Sequence, residues 1–345
     1  MNRKASVLIL FLWVLLFLSL FAVSLTTRTR LATKIESHRL NHLRLHYDFL
    51  SALNLARFFI GADENPQFDS KKDAWFGIPT KFRDMAFSEH FELTITDEGS
   101  KINLNFATER ILLALFSVLK DHDMALETDP KELAANILRW RGTSFRHATG
   151  LGGSAFKGAP FESVDELRLI PGIVASDAER LAPFVTVFGH RKKRNMAVNI
   201  NTVHPYVLES LVASLPAGSH SKEKFLEHFN KLSQSSSPSM RDRRKTEFAF
   251  DVSELTADAM IRKLELPRTL EMRLLLGRLL VFLTVDSRFF LVSVRSKRSR
   301  TNNVALRAVL GPDVSYPKTR LAMSQLGLRT LSTPLEILSW KEGIS

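Results

Sequence analysis

The sequence has no cysteine among its 345 residues. That absence excludes disulfides, zinc–thiolate sites, iron–sulfur clusters and thiol catalysis, and leaves the redox compartment undetermined. Glycine and proline are sparse, at 15 and 13 residues, while 45% of the chain is apolar and 24% charged, so a collagen-like or disordered chain is excluded. Catalytic signatures are missing too. There is no Gly-rich phosphate loop, no His-Glu-x-x-His pair and no Gly-x-Ser-x-Gly elbow, and the glycines at 150–153 lack a strand-to-helix context. No catalytic residue is nominated and no enzymatic activity is expected. Acid is also in deficit, with 36 Asp and Glu against 48 Lys and Arg, a formal net charge of +12. That balance favours nucleic acid or anionic lipid as a partner but carries no information about fold. The length suggests about two structural units.

The longest apolar run opens the chain, from Val7 to Val23 with only Ser19 interrupting it, behind Arg3 and Lys4. Continued as a helix to Leu25 it extends about 28 Å, enough to cross a hydrocarbon core. Basic residues before the span favour a cytoplasmic N-terminus, although Arg28, Arg30 and Lys34 behind it weaken the asymmetry. Removal as a signal peptide after Ser24 and retention as an uncleaved anchor are both open readings. Between Thr26 and Ile60 there is no Pro or Gly, and Leu31, Ile35, Leu40, Leu43, Tyr47, Leu50, Leu53 and Phe58 recur at helical spacings. One helix of about 54 residues is therefore predicted, spanning a membrane with its first half and packing on a globular head with its second.

Behind a loop at 63–73, strand-like pieces are predicted over 74–78, 91–96 and 101–106. Asp97-Glu98-Gly99-Ser100 reads as the turn of a hairpin between the last two. Helices are expected over 109–119, 131–140, 163–169, 176–182, 206–213 and 222–232, with irregular or low-complexity loops over 142–159 and 233–239. Strands return over 278–285, 288–295 and 305–310, and no pattern is legible from Gly311 onward. Ile102-Asn103-Leu104-Asn105 recurs 96 residues later as Val198-Asn199-Ile200-Asn201, each time before a helix whose free N–H groups an Asn side chain could cap.

His38, His42 and His46 lie four apart on the long helix, an arrangement able to share a metal ion but more simply a solvated or head-packed face. Asp121, Asp123, Glu127 and Asp129 share one loop without the spacing of a known calcium loop. Ile170-Pro171-Gly172 with Leu167, Ile173, Ala178 and Leu181 looks like a helix-hairpin-helix element, whose turn could offer N–H groups to a phosphate. Asp165, Glu166, Asp177 and Glu179 crowd that turn with repelling charge, so it reads as a packing module. The basic clusters at 191–194, 241–245 and 295–300 read as solvated loops.

Taken together, these residues resemble the minor pseudopilin K family of bacterial type II secretion systems. The resemblance rests on 8–15 (LILFLWVL), 102–105 (INLN), 160–167 (PFESVDEL), Ile170-Pro171-Gly172, 198–202 (VNINT) and 287–290 (SRFF), in that order, and covers about residues 1–310. It implies an α+β pseudopilin fold: a long, partly transmembrane N-terminal helix, a small antiparallel sheet and a large inserted all-α domain. The implied divisions are a leader at 1–5, the long helix at 6–60, pseudopilin strands at 61–107, the helical insertion at 108–263, further strands at 264–312 and a tail at 313–345. The resemblance also implies cleavage by prepilin peptidase between Ala5 and Ser6, with methylation of the new N-terminus. Leu10 then stands at the fifth mature position, where major pseudopilins carry a Glu that pairs with a neighbour's terminal amine. A subunit lacking it is implied to sit at the pseudopilus tip, with minor pseudopilins I and J and the major pseudopilin as partners, in the inner membrane with a periplasmic head. Some members bind Ca²⁺ behind the Trp equivalent to Trp140. Here Arg141-Gly142-Thr143-Ser144 follow, so neither calcium nor any other cofactor is expected. A membrane-anchored nucleic-acid-binding protein and a type IV pilus minor pilin are the alternatives.

Overall fold

The computed structural model describes residues 3–63, 68–79, 82, 85–142, 156–192, 195–235, 248–297, 304–312 and 335–344. Helix α1 runs unbroken from Arg3 to Gly61, as the lack of internal Gly and Pro permits. Only its last part packs. Phe49, Leu53, Phe59 and Ile60 are buried, whereas every residue from Leu10 to Arg44 is exposed. The expectation that the whole second half lies on a head is corrected accordingly, with packing beginning near Leu45.

The packed end of α1 lies on a sheet of β1 (Phe91–Asp97), β7 (Phe290–Ser296), β8 (Val304–Pro312) and β9 (Leu335–Ile344), antiparallel throughout in that order. In β1 the alternation turns Phe91, Leu93 and Ile95 inward, where they meet Val292, Val294, Leu306 and Leu310. Trp75 seals this core edge-on to Phe290, ring centroids 5.0 Å apart. Burial of each such side chain contributes about 1.5–3 kcal/mol.

The hairpin expectation fails here. Period-2 alternation identifies a strand but not its partner. The segment after β1 does not fold back as a hairpin. It makes a short 3₁₀ turn capped by Asp97, and β1 pairs with β7 some two hundred residues away. The patternless tail supplies β9, register-matched to β8 through Ala308↔Trp340. At 74–78 there is only an isolated bridge, Gly77 to Ile95.

Between β1 and β7 lies a helical insertion with its own core. Its first part contains β2 (Ile102–Asn103), α2 (Glu109–Asp121), α3 (Pro130–Trp140), α4 (Ala175–Leu181) and β3 (Val185–Thr186). β4 (His190–Lys192) pairs with β5 (Asn195–Asn199), and the chain continues through α5 (Pro205–Ser214), α6 (Ser219–Ser235), α7 (Ala257–Lys263) and α8 (Leu270–Leu279) to β6 (Leu283–Thr284), the third strand of that sheet. The strand expected at 278–285 is mostly helical, because Met272, Leu275, Leu276 and Leu279 bury an i, i+3, i+4, i+7 face.

The Asn-rich echo marks a structural repeat. β2 pairs in parallel with β3, and β5 with β6, in equivalent registers Asn103↔Thr186 and Asn199↔Thr284. Asn105 exchanges two hydrogen bonds with the backbone of Phe161 (2.7 and 2.9 Å), and Asn201 does the same with Phe250 (2.8 and 2.9 Å). Each Phe leads into a 3₁₀ turn with a capping box, Ser163 with Glu166 and Asp251 with Glu254. The expected capping role goes elsewhere: Thr108 caps α2 and His204 caps α5. The equivalent helices α2 and α5 pack together, with His122 stacked on Tyr206 at 4.2 Å.

Candidate functional site

The exposed part of α1 is a shaft about 52 Å long at the helical rise. Its first stretch, Leu10 to Leu25, is apolar on every side. A helix apolar all round has no single inward face to bury within its own chain, the pattern of a segment that suits apolar surroundings. By length and composition α1 can cross a membrane. Further out, Leu31, Ile35, Leu40 and Leu43 are exposed as well.

Within the head, four chain segments, around 69, 97–99, 199–202 and 287, converge on buried carboxylates. Asp97, at the end of β1, accepts from Ser287 Oγ (2.5 Å), Thr202 Oγ1 (2.6 Å) and Gly99 N (2.7 Å). Asp69 accepts from Ser287 N at 2.6 Å, and Asn199 Nδ2 donates to Ser287 Oγ at 2.9 Å. Burial pushes the Asp97 carboxyl up to about 7 against the lowering effect of its hydroxyl donors, and the negative charge of Asp69 adds to the rise. The neighbouring Glu98 is also buried but paired with Lys101, and it accepts from Thr186 Oγ1. Consecutive acids at the end of β1 thus hold the second repeat and the first repeat respectively.

No family model and no curated protein matches the sequence. Among solved structures, a chain of the GspK–GspI–GspJ complex from the enterotoxigenic Escherichia coli type 2 secretion system matches with a TM-score of 0.58 at 16% identity, over 90% of this chain and 100% of that one. The fold is that of a GspK-like pseudopilin. A long N-terminal apolar helix on a small antiparallel sheet, with helices inserted between strands, is the architecture the resemblance implied.

In this pseudopilin fold Ala5 and Ser6 lie on the backbone of α1, immediately ahead of the apolar run that begins at Val7, and their side chains fall outside the described residues. Leu10 is 67% exposed on the shaft. The residues singled out for metal binding do not converge. Asp129 caps α3, Glu127 accepts from Ser176 Oγ at 2.9 Å, and His38 and His42 stand exposed on the shaft. The residues that follow Gly142, up to 155, lie outside the described part. Arg141 itself turns inward to donate to Leu104 O at 2.6 Å.

The Pro171-Gly172 turn is occupied from within. Asn136 Nδ2 donates to Pro171 O at 3.1 Å, Thr128 Oγ1 to Gly172 O at 3.3 Å, and Asp177 accepts from the backbone of Glu127 and Thr128. Gly172 has φ +82°, and a Cβ there would press on Asn136 and Glu132. The Glu132 carboxylate beside Gly172 adds negative charge next to the turn. Sequence reading missed Asp63, Asp69 and Asp73, whose carboxylates lie within 4.8 Å of one another. Asp73 is satisfied by Ser70 N and Oγ (2.8 and 3.0 Å), and burial pushes it up to about 7. Their irregular spacing in a loop left no periodic signal.

Proposed function

We propose that this chain is a non-enzymatic minor pseudopilin of a type II secretion system, standing at the tip of the pseudopilus and helping to nucleate or cap it. The observation that carries the reading is a single helix exposed from Leu10 to Arg44, joined to a head, in a chain whose fold matches one of the GspK–GspI–GspJ complex over 90% of its length. An apolar, unpacked shaft suits assembly with other long helices in and just outside a bilayer. Leu10 supplies the asymmetry. A carboxylate buried in the bilayer is retained only where it has a partner, and a subunit with Leu there has nothing to offer the amine of a subunit above it. Homologues of GspI and GspJ are the proposed partners, along with the major pseudopilin below. The head lies in the periplasm, the anchor in the inner membrane, and no cofactor takes part.

The test is the mature N-terminus, read by mass spectrometry of membrane-extracted protein. A start at Ser6 bearing a methyl group is expected from prepilin-peptidase processing between Ala5 and Ser6. A start after Ser24 would remove the shaft's apolar part and overturn the assignment. As a second check, Leu15→Arg should abolish membrane insertion or capture of the I- and J-type partners.

A further inference from the structure

The shaft changes character within two turns of leaving its apolar stretch. Thr26, Thr27, Thr29 and Thr33 all turn their hydroxyls back onto carbonyls one turn earlier, at 2.8–3.0 Å. Hydroxyl protons satisfied in this way need no outside acceptor, which suits a layer where water is thinning out. Among them stand Arg28 and Arg30, about 4 and 8 Å beyond Leu25 along the axis, and then Lys34 at about 14 Å. All three are exposed, and none takes part in an ion pair among the described residues. The shaft from Leu10 to Arg44 holds five basic residues and a single acid, Glu36.

The polar layer of a bilayer is roughly 5–8 Å deep on each side of its hydrocarbon. Arg28 and Arg30 fall within that depth, and the long side chain of Lys34 can reach back to it. Arg39 and Arg44, about 21 and 28 Å out, stand beyond both the layer and the screening length of roughly 8–10 Å. Their positions separate a headgroup contact from a general attraction along the shaft.

We propose that Arg28, Arg30 and Lys34 form a basic collar that binds anionic phospholipid headgroups on the face of the membrane from which the head projects. The proposal rests on the membrane-anchored reading above. It also explains why charges that oppose the positive-inside bias are placed immediately behind the span: opposite headgroups offset their cost and set the depth of the helix. Arginine suits the task, since its planar fork matches phosphate oxygens in pairs.

The test uses the full chain reconstituted in phosphatidylcholine vesicles containing phosphatidylglycerol. The motionally restricted fraction of spin-labelled phosphatidylglycerol is compared with that of spin-labelled phosphatidylcholine. The full chain should prefer the anionic lipid several-fold, with the preference shrinking as salt rises. R28Q/R30Q/K34Q should bring the ratio to about one, R28K/R30K should keep most of it, and R39Q/R44Q should leave it unchanged. Equal restriction of both lipids by the unsubstituted chain would overturn the collar while leaving the anchor intact. So would a loss in R39Q/R44Q as large as in the triple variant, which would point to a general electrostatic attraction along the shaft. Restriction of neither lipid would refute the membrane anchor, and the collar with it.

Discussion

The two repeats of the insertion use one device and attach it to the head in two ways. Each holds a Phe backbone in an Asn clamp and closes a two-residue parallel pair at an Asn–Thr position. The first repeat meets Glu98, whose charge is balanced by Lys101. The second meets Asp97, which has hydroxyl and N–H donors but no cation, and whose nearby charge is the like-signed Asp69. Internal architecture is thus duplicated, while the attachment to the head is not. The lesson is that a repeated fold fixes where side chains converge, and the charge placed there decides how the joint responds to its medium.

The comparison is broken most severely at the clamps. Asn201→Ala leaves the Phe250 N–H and carbonyl without partners, and Asn105→Ala does the same at Phe161. Each substitution is expected to destabilise the insertion by about 2–4 kcal/mol, read as a shift of the urea midpoint. If the repeats are equivalent the two losses should agree within about 1 kcal/mol. A loss confined to one would show that only that copy depends on its clamp.

The next effect separates the joints. The Asp97 carboxyl is raised to about 7 in the folded chain, so between about pH 4 and pH 7 the folded state holds a proton that the unfolded state has released. Stability from this group is therefore present at the acidic end and is lost as pH rises through 7. On the order of 4 kcal/mol is involved at Asp97, and Asp73, raised for the same reason of burial, contributes in the same direction. Thermal melts of Asp97→Asn across that range should show a flatter profile than the parent protein. An identical profile would mean that Asp97 keeps its ordinary titration.

Smaller again are the hydroxyls. Thr202→Val removes one donor from Asp97, and Thr186→Val one from Glu98. Each is expected to cost about 1–2 kcal/mol, and the cost of the Thr202 change should vary with pH between 5 and 8. The smallest contrast is at the capping boxes, where Ser163→Ala and Asp251→Ala should each lower the melting temperature in line with about 1 kcal/mol.

Much of this was legible in the residues. The long helix followed from an uninterrupted periodic stretch, and Asp129-Pro130 announced the start of α3, where Asp129 accepts from Lys131 N and Glu132 N. The recurring Asn pairs signalled a repeat but not what the side chains do, because their acceptors and donors, Phe161 and Phe250, lie 56 and 49 residues downstream. Strand partners were illegible for the same reason. The alternation of Phe91, Leu93 and Ile95 says that one face is buried and is silent about whether β2 or β7 lies alongside. β9 escaped notice because its alternation is interrupted by charge and sits beyond a long connection. The joint at Asp97 was hidden most fully, since an acid in a turn reads as solvated until distant hydroxyls enclose it.

The pairing of β1 with β7 also bears on how the chain folds. Bringing these strands together through a disordered connection of about 190 residues would cost on the order of 4–5 kcal/mol in chain entropy. Asp97 and Ser287 stand 2.5 Å apart across the neck of the insertion, and Glu98 N reaches Phe289 O at 2.9 Å. Once the insertion has condensed on its own core, its ends already lie side by side, and the effective loop closing the head sheet shrinks to a few residues. In that order of events the insertion would act as an entropic shortcut for the head, with β1 and β7 zipping last at almost no loop cost. Whatever loosens the neck should slow assembly of the sheet more than it weakens the finished molecule.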